Sequence, residues 1–332
     1  MKALWITWEN QRRNRSMADQ VQARLCELSY TGKSRVLRYL NLGIQTVRII
    51  GREKPSVVFY QNPSIVLAAL VAAWRKITAH RFQLVGDFHN AGVFPPVGRA
   101  VTRWVARNSD LVIVTNTQLQ NEVNDWGAKS IAMPDPIPDL QGHVAARRDA
   151  AAPLQLLFIC SWAEDEPIAE VFGAAQRLQQ AGAAVTIRIT GRPKLERFVA
   201  NVAVPDNIAL TGYLSDEDFE RELHEADAIL DLTTRDNCMV CGAYEGVAAE
   251  KPLILSGNAA TRAYFNRGVL FTDNSADDIA SQISALIERH EGLAADVKTL
   301  KQELLQRQQA ALHLLQKQLD NAAGNAGQAS LP

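Results

Sequence analysis

The sequence predicts an α/β protein of two domains, each built on a mostly parallel β-sheet, and three observations lead to this prediction. The 332 residues exceed one typical domain and are enough for two. Short apolar segments alternate with segments of helical periodicity, the pattern of parallel sheets covered on both faces. A turn-rich polar stretch interrupts this alternation. We therefore assign residues 1–134 to a first domain, 135–152 to a linker and 153–290 to a second domain.

Apolar segments define the elements of the first domain. They predict buried strands at residues 2–7, 56–60, 83–87 and 111–115. Apolar spacings of three and four predict helices at residues 17–28, 34–52, 62–76 and 99–107. Residues 8–16 are the predicted loop after the first strand.

The second domain repeats this rhythm. Its predicted strands are residues 154–159, 185–190, 208–210, 228–232, 252–255 and 269–272. Its predicted helices are residues 167–180, 215–226, 242–250 and 276–287. Ser215, with Asp218 three residues later, resembles a capping box that begins its helix.

Residues 291–320 are predicted to form one long amphipathic helix. Its apolar residues recur at spacings of three and four over several turns. This pattern fits a helix packed along its own protein, and alternatively a coiled-coil contact. Residues 321–332 are predicted to be a disordered tail.

The charge of the chain is strongly asymmetric. Residues 1–110 contain 17 basic and 6 acidic residues, a net charge of +11, whereas the remainder contains 18 and 30, a net charge of −12. Opposite charges predict different partners for the two halves. The basic half favours an anionic membrane surface or a phosphorylated substrate.

Composition also gives an expected location. No signal peptide is recognisable, and the longest apolar run, residues 65–74, is too short to span a bilayer. Four cysteines without framework spacing favour a reducing compartment. We expect a cytoplasmic protein, with peripheral binding to the inner face of the plasma membrane as an additional possibility.

Residues 227–258 carry the clearest chemical signal. They read as strand, polar loop, helix and strand, the unit of a parallel α/β sheet. The loop lies where such sheets bind ligands, and the following helix N-terminus attracts anions. Glu245 lies one turn into this helix and can accept hydrogen bonds from hydroxyl groups. A nucleotide sugar offers both partners, a diphosphate and a ribose diol.

Residues 244–254, Tyr-Glu-Gly-Val-Ala-Ala-Glu-Lys-Pro-Leu-Ile, resemble the donor-binding signature of retaining glycosyltransferases of the GT-B fold, family 4 type. The resemblance implies two Rossmann-like domains with parallel sheets and a C-terminal helix crossing between them. The family's second glutamate, which binds the ribose hydroxyls, matches Glu245. Its first glutamate, which contacts the transferred sugar, matches Asn237, so the sequence departs from the pattern there. Gly242, at the helix tip, is placed beside the diphosphate.

Two further segments, residues 160–167 and 207–215, resemble parts of the C-domain of bacterial polysaccharide glycosyltransferases. In such enzymes the segment that matches Gly212 and Tyr213 lies near the nucleobase.

The diphosphate contact departs from the family in this sequence. The family usually takes an arginine and a lysine from the loop after the first strand of the second domain, but residues 164–166 are acidic here. Gly191, Arg192 and Lys194, which follow another strand, are therefore donor-binding candidates. Gly191 permits close backbone approach, and Arg192 can bind a diphosphate bidentately. A solvated basic turn is the alternative.

The first domain contributes candidates for catalysis and acceptor binding, facing a ligand cleft expected between the domains. In the resembling enzymes a histidine at the position of His89 faces the donor sugar. Asp87 is the candidate base toward an acceptor hydroxyl. Arg12, Arg13 and Arg15 are candidates for a phosphorylated acceptor. Alternatively, Asp87 only caps its loop and the arginines are solvated.

Other motifs are discounted. Asp216-Glu217-Asp218 matches a metal motif, but it starts a helix, where acids are favoured anyway. Cys238 and Cys241 have no second cysteine pair with which to form a metal site. Glycine-rich Rossmann and Walker A fingerprints are absent. We predict no bound metal, no cofactor and no nucleic-acid partner.

Together, the motifs predict a hexosyltransferase-like enzyme that uses a nucleotide diphosphate sugar and acts in polysaccharide biosynthesis. The expected acceptor is a growing glycan, free or linked to a polyprenyl diphosphate. Two alternatives remain: a sugar-nucleotide epimerase of the same fold, and a non-catalytic homologue that binds a partner.

Overall fold

The structure is a computed structural model, and it divides the chain into two compact units. One unit is Met1–Pro136 together with Arg307–Pro332, and the other is Ile137–Gln306. The structure describes residues 2–62, 64–88, 98–140, 152–200, 203–236 and 238–328, without the side chains of Arg12 and of residues 322–328.

The first unit contains a parallel sheet with helices on both faces. Its strands are β1 Ala3–Thr7, β2 Arg24–Glu27, β3 Val57–Gln61, β4 Gln83–Phe88, β5 Leu111–Val114 and β6 Ser130–Ala132. Its helices are α1 Arg12–Gln20, α2 Arg35–Glu53, α3 Ile65–Ile77, α4 Arg99–Arg107 and α5 Thr117–Asp125.

Within the described residues, the first sheet has six strands in the order β2-β1-β3-β4-β5-β6, all parallel. Strands β1, β3 and β5 are buried at every residue, because side chains pack on both faces of the sheet. One face packs in a cluster around Tyr60 and Phe88, and the other in a cluster around Trp5 and Phe59. Trp5 and Phe59 stack at 5.2 Å between ring centroids.

The predicted helix at residues 17–28 is wrong. Helix α1 starts earlier, inside the predicted loop, and the chain turns at Gln22, which has a positive φ. Residues 24–27 form β2 because they pair in parallel register with β1, Leu4 facing Arg24. This long-range pairing outweighs the local helical spacing. Helix α5 and strand β6 were not predicted.

The second unit contains the other parallel sheet. Its strands are β7 Leu154–Phe158, β8 Val185–Thr190, β9 Ile208–Gly212, β10 Ala228–Asp231, β11 Leu253–Ser256 and β12 Val269–Thr272. Its helices are α6 Ile168–Gln180, α7 Leu195–Phe198, α8 Asp216–Glu225, α9 Cys241–Ala248, α10 Ala259–Tyr264 and the first part of α11 Ala276–Gln328.

The described residues of this unit form six parallel strands in the order β12-β11-β10-β7-β8-β9. Each predicted strand is present, and the additional elements are the short helices α7 and α10. Ser215 is the N-cap of this helix as predicted, since its Oγ accepts from Asp218 N at 3.1 Å and donates to Asp218 Oδ2 at 2.7 Å.

Helix α11 is longer than predicted. The sequence predicted a helix that ends at residue 287, a second one within residues 291–320 and a disordered tail. The structure has one helix to Gln328. Gly292 does not end it, because a single glycine costs a helix only about 1 kcal/mol. Leu300 and Leu304 pack in the second unit, and Leu315 and Leu319 in the first, so the apolar stripe packs along its own protein.

The surface of α2 is unusually apolar. Val36, Leu40 and Ile44 lie on one stripe of this helix and are 68%, 58% and 51% exposed. Leu37 and Tyr39 are exposed beside them, and basic residues occur along the same helix. Among the described residues, no helix is both long and apolar enough to cross a membrane.

Candidate functional site

The strand order of the second sheet locates a ligand crevice. The chain proceeds outward from β7 to β8 and β9 on one side, and from β10 to β11 and β12 on the other. Strands β7 and β10 are neighbours, with Leu230 opposite Phe158. Sheets of this kind bind ligands at such a reversal, outside the carboxyl ends of the strands. The candidate site is therefore formed by the loops after β7 and β10.

Helix α9 begins directly against the end of β10. Asp231, the last residue of β10, accepts a hydrogen bond from Gly242 N at its Oδ2, at 2.7 Å. A Cβ atom at position 242 would collide with this same oxygen and come close to Ile159. Gly242 is therefore the residue that lets the helix tip approach the strand. Its predicted place at the helix tip agrees with the structure, but its N–H is bound by a carboxylate of the chain itself.

Glu245 lies one turn further along α9 and is 7% exposed. Burial, and next the negative charge of Glu245, raise the pKa of Asp231 well above its usual value. The site thus contains two buried carboxyl groups close enough to influence each other, and the pKa of one of them, Asp231, is raised. The sequence pointed to Glu245 and missed Asp231, although an aspartate that ends a buried strand was a visible signal.

The acidic loop after β7 is organised around Glu166. This carboxylate accepts hydrogen bonds from Ser161 N at 2.9 Å, Ala163 N at 2.7 Å and Ser161 Oγ at 2.9 Å. Burial, and next the charge of Glu166, raise the pKa of the nearby Cys160 thiol. The backbone N–H groups of the loop therefore already bind an internal anion.

Asp165 connects this loop to the loop after β10. Its carboxylate accepts from Thr233 Oγ1 at 2.8 Å and from the Arg235 guanidinium at 3.0 Å. Its backbone oxygen accepts from Thr234 N at 2.7 Å. The sequence analysis did not single out Arg235, because nothing local shows that its partner lies 70 residues earlier in the chain.

The candidates that follow β8 and β9 lie together. Gly191 and Gly212 have positive φ angles of +85° and +74°, which favour glycine. Arg192 Cζ lies 5.3 Å from the centre of the exposed Tyr213 ring. Lys194 Nζ donates to Trp162 O at 2.8 Å, and this contact ties the turn to the loop after β7. The structure thus groups these five residues, and their roles toward a donor stay predictions.

In the first unit, Arg13 does not have the solvated position that the alternative interpretation of the basic loop gave it. Its guanidinium is buried and contacts three groups: Asp87, Asp135 and Met133 O. Burial lowers the pKa of Arg13, but Asp87 and Asp135 outweigh burial and hold this pKa above its usual value. An arginine held in this way does not present its donors to an acceptor.

The same contacts change the interpretation of Asp87. The side chain is fully buried, and Arg13 Nε lies 3.2 Å from Oδ1 and 3.0 Å from Oδ2. Such an ion pair stabilises the ionised carboxylate. Asp87 therefore lies in a buried ion pair, and its role as a base stays a prediction.

The remaining candidates divide into two groups. Arg15 is exposed and lies beside Asn10 and Glu27, at 3.1 and 3.4 Å. The side chain of Arg12, and His89 and Asn237 as a whole, lie outside the described residues.

The acidic triplet and the cysteine pair are the two motifs discounted as metal sites from the sequence. Asp216, Glu217 and Asp218 form the first turn of α8. Cys238 is half-buried and Cys241 is exposed. In the part of the chain that the structure describes, no group of three or more His, Cys, Asp or Glu could hold a metal ion. Metal independence itself stays a prediction.

Comparison with known proteins gives a family match in the first unit. Residues 5–133 match the family described as "Glycosyl transferase 4-like domain". Among curated proteins, the chain is similar to the glycogen synthase of Mycobacterium tuberculosis, at 24% identity over 206 residues. The match covers 59% of this chain and 49% of that protein. The chain therefore spans about half the length of the curated relatives it matches.

Solved structures share the architecture. HepE from Anabaena, in complex with UDP and glucose, aligns with a TM-score of 0.71 at 12% identity, over 95% of this chain and 99% of that one. A glycosyltransferase from Rickettsia africae aligns with a TM-score of 0.68 at 13% identity, over 95% and 89%. Such low identities indicate a shared fold and carry no functional conclusion.

Proposed function

We propose that this chain, which has the GT-B fold and whose residues 5–133 match a glycosyl transferase 4-like domain, transfers a sugar from a nucleotide diphosphate sugar to a glycan. The solved structure of HepE, which shares the fold, holds UDP and glucose, and this supports a nucleotide sugar as donor. The proposed acceptor is a growing glycan, free or linked to a polyprenyl diphosphate, in polysaccharide biosynthesis. The net charge of +11 in residues 1–110 supports a phosphorylated acceptor.

Glu245 is the observation that carries this proposal. It is buried in α9, one turn from the Gly242 tip, at the strand-order reversal where ligands bind in parallel sheets. A carboxylate accepts hydrogen bonds from both hydroxyls of a ribose, and these bonds are charge-assisted. In this proposal Glu245 binds the ribose, and Gly212 and Tyr213 lie at the nucleobase end of the donor.

The proposed transfer needs no metal. The departing nucleoside diphosphate carries negative charge, which fixed donors and cations stabilise when they point at it in advance. In this proposal the tip of α9 and Arg192 supply that stabilisation, Asn237 contacts the transferred sugar, and His89 is a catalytic residue. Hexosyl specificity follows from the family resemblance and belongs to the same proposal.

Turnover with a donor and a glycan acceptor tests the function. A thermal-shift screen against UDP-, GDP-, ADP- and dTDP-sugars first identifies the donor, since a ligand that binds only the folded state raises its stability. Incubation with the donor and glycan acceptors, with and without EDTA, then follows sugar transfer. We expect transfer that survives EDTA. Interconversion of the sugar without an acceptor would indicate an epimerase instead, and donor binding without any turnover a non-catalytic homologue.

We also propose that the protein acts at the cytoplasmic face of an anionic membrane. The basic charge of residues 1–110 attracts acidic lipid, and each cation near such a surface contributes about 1 kcal/mol. The exposed apolar stripe of α2 adds side chains that can enter the interfacial region of the bilayer. A lipid-linked acceptor would then meet the enzyme at that surface.

A further inference from the structure

Arg235 and Asp165 form an ion pair across the ligand crevice of the second unit. Asp165 lies in the loop after β7 and Arg235 in the loop after β10, the two loops that flank the reversal in strand order. Their side chains are 21% and 62% exposed. The pair therefore lies at the edge of the sheet where a ligand is expected, with the guanidinium facing solvent.

The position of Arg235 is fixed by contacts on its own loop. Thr233 is buried, and its N–H donates to Ser256 Oγ at 2.9 Å. Its hydroxyl donates to Asp165 at 2.8 Å, and Arg235 N lies 3.2 Å from the same hydroxyl. Asn274 Nδ2 donates to Thr233 O at 3.0 Å. This network holds the loop against the ends of β11 and β12, so the arginine extends from a fixed backbone.

Three backbone donors of the crevice already bind carboxylates of the chain itself. Gly242 N donates to Asp231, and the N–H groups of Ser161 and Ala163 donate to Glu166. Asp165 and Glu166 both lie close enough to Asp231 to raise its pKa, although burial and Glu245 contribute more. A diphosphate in this crevice meets several carboxyl groups and needs a cation beside them.

We propose that Arg235, oriented by Asp165, binds the diphosphate of the donor in place of the basic residues that the loop after β7 lacks. The inference rests on the proposed function. A guanidinium has five donors in a planar fork, so it can bind Asp165 on one side and phosphate oxygens on the other. Two acids of this loop then have separate roles. Glu166 holds the loop in its conformation, and Asp165 orients Arg235 of the loop after β10.

Calorimetry with matched ligands tests this role. The full chain is titrated with UDP, GDP, ADP and dTDP and with the corresponding nucleosides, which lack the diphosphate. Arg235→Gln is expected to weaken the nucleoside diphosphate that binds by roughly ten- to hundredfold and to leave the nucleoside unchanged. Arg235→Lys keeps the positive charge but lacks the planar guanidinium, and its affinity for the nucleoside diphosphate should fall by less.

Arg197→Gln is the matched control. Arg197 is also a half-exposed arginine paired with an acid of the same loop, Glu164, but it lies on α7, away from the reversal. It should bind all ligands as the wild type does. Asp165→Asn keeps an acceptor for Thr233 and removes the charge that orients Arg235, so the diphosphate-over-nucleoside preference should fall while the melting temperature stays close to the wild type.

Three outcomes would contradict the proposal. A folded Arg235→Gln that binds the diphosphate as tightly as the wild type removes the role of Arg235 and leaves the proposed function intact. An equal loss of diphosphate and nucleoside affinity assigns Arg235 to loop structure alone. A wild type that binds none of the four nucleoside diphosphates overturns both this proposal and the proposed function.

Discussion

Glu245 is the residue on which the proposed donor binding depends. We expect Glu245→Gln to weaken the nucleoside diphosphate by about 1.5–3 kcal/mol, roughly ten- to hundredfold, because charge-assisted hydrogen bonds to the ribose are lost. The fold should persist, since Gln has the same shape and removes a charge next to Asp231. Calorimetry with the nucleoside diphosphate alone keeps the sugar contact proposed for Asn237 out of the measurement.

Glu250→Gln is the control for this measurement. Glu250 belongs to the same motif, but its half-exposed carboxylate pairs with Lys301 at 3.1 Å. We expect its nucleotide affinity to match the wild type. If Glu245→Gln folds and its dissociation constant is unchanged, the ribose contact at Glu245 is refuted.

Asp231 predicts a pH dependence of stability. Its pKa is raised by burial, then by Glu245, with smaller effects of Glu166 and Asp165, so the folded state holds this proton more tightly than the unfolded chain. The unfolded chain releases it near pH 3.9, so stability falls as the pH rises from about there toward the folded pKa. A tenfold difference in proton affinity corresponds to about 1.4 kcal/mol.

The stability of Asp231→Asn relative to the wild type should therefore increase as the pH rises. Asn keeps an oxygen for Gly242 N and carries no proton that must be retained. Melting temperatures of both proteins between pH 4 and pH 8 measure the difference. A variant that becomes relatively less stable toward pH 8 would mean that the ionised carboxylate is the favoured form.

At the scale of single residues, the sequence singled out those that belong to a local pattern. Glu245 and Gly242 were identifiable because both lie in the helix of the strand-loop-helix-strand unit, residues 227–258. The buried Arg13–Asp87 pair joins residues 74 positions apart, and the Asp165–Arg235 pair joins residues 70 apart. No local pattern reveals such partners, so the basic loop around Arg13 was interpreted as open to a phosphorylated acceptor or to solvent.

At the scale of single elements, α2 predicts membrane binding. We expect Leu40→Gln together with Ile44→Gln to reduce flotation with anionic vesicles, because two apolar side chains no longer enter the interface. Both residues are exposed, so the melting temperature should change little. Vesicles with acidic phospholipid, and phosphatidylcholine vesicles as the neutral comparison, are used at low and high salt.

Leu314→Gln serves as the control, since Leu314 is an exposed leucine on α11. Its flotation should equal that of the wild type. If the wild type binds neither kind of vesicle at low salt, the membrane proposal fails. If the α2 variant floats as well as the wild type, the charge of the first unit is sufficient and α2 is not the contact.

Elements were predictable where periodicity and burial agree. Strands buried on both faces appear as continuous apolar runs in the sequence. These runs identified β3, β4, β7 and β10. Strand β2 has only one fully buried residue, and its identity follows from pairing with β1. Its apolar residues also satisfied helical spacing, so the local signal favoured the wrong element.

At the scale of the whole molecule, two sheets and a long last helix were predictable, and the family resemblance implied that this helix crosses between the units. Which of its leucines enter each core was not predictable. Leu315 is almost fully buried in the cluster of the first unit that contains Trp5 and Phe59. We expect Leu315→Ala to destabilise that unit by about 2–5 kcal/mol through a cavity. Urea unfolding, followed by the fluorescence of tryptophans such as Trp5, measures this.

Leu314→Ala is the adjacent comparison, because Leu314 is exposed and its truncation leaves no cavity. Its urea midpoint should match the wild type. Equal midpoints for both variants would show that α11 adds little to the first unit, despite the hydrogen bond from Gln83 Nε2 to Leu319 O at 2.7 Å.

The shared helix also affects the order in which the chain folds during synthesis. Residues 307–328 leave the ribosome after the whole of the second unit, yet Leu315 and Leu319 belong to the core of the first. The second unit can thus close as soon as its residues emerge. The first must wait with part of one sheet face uncovered, an interval in which apolar surface is open to chaperones or to aggregation. A nascent chain that stalls within α11 would carry a finished second unit beside an unfinished first one.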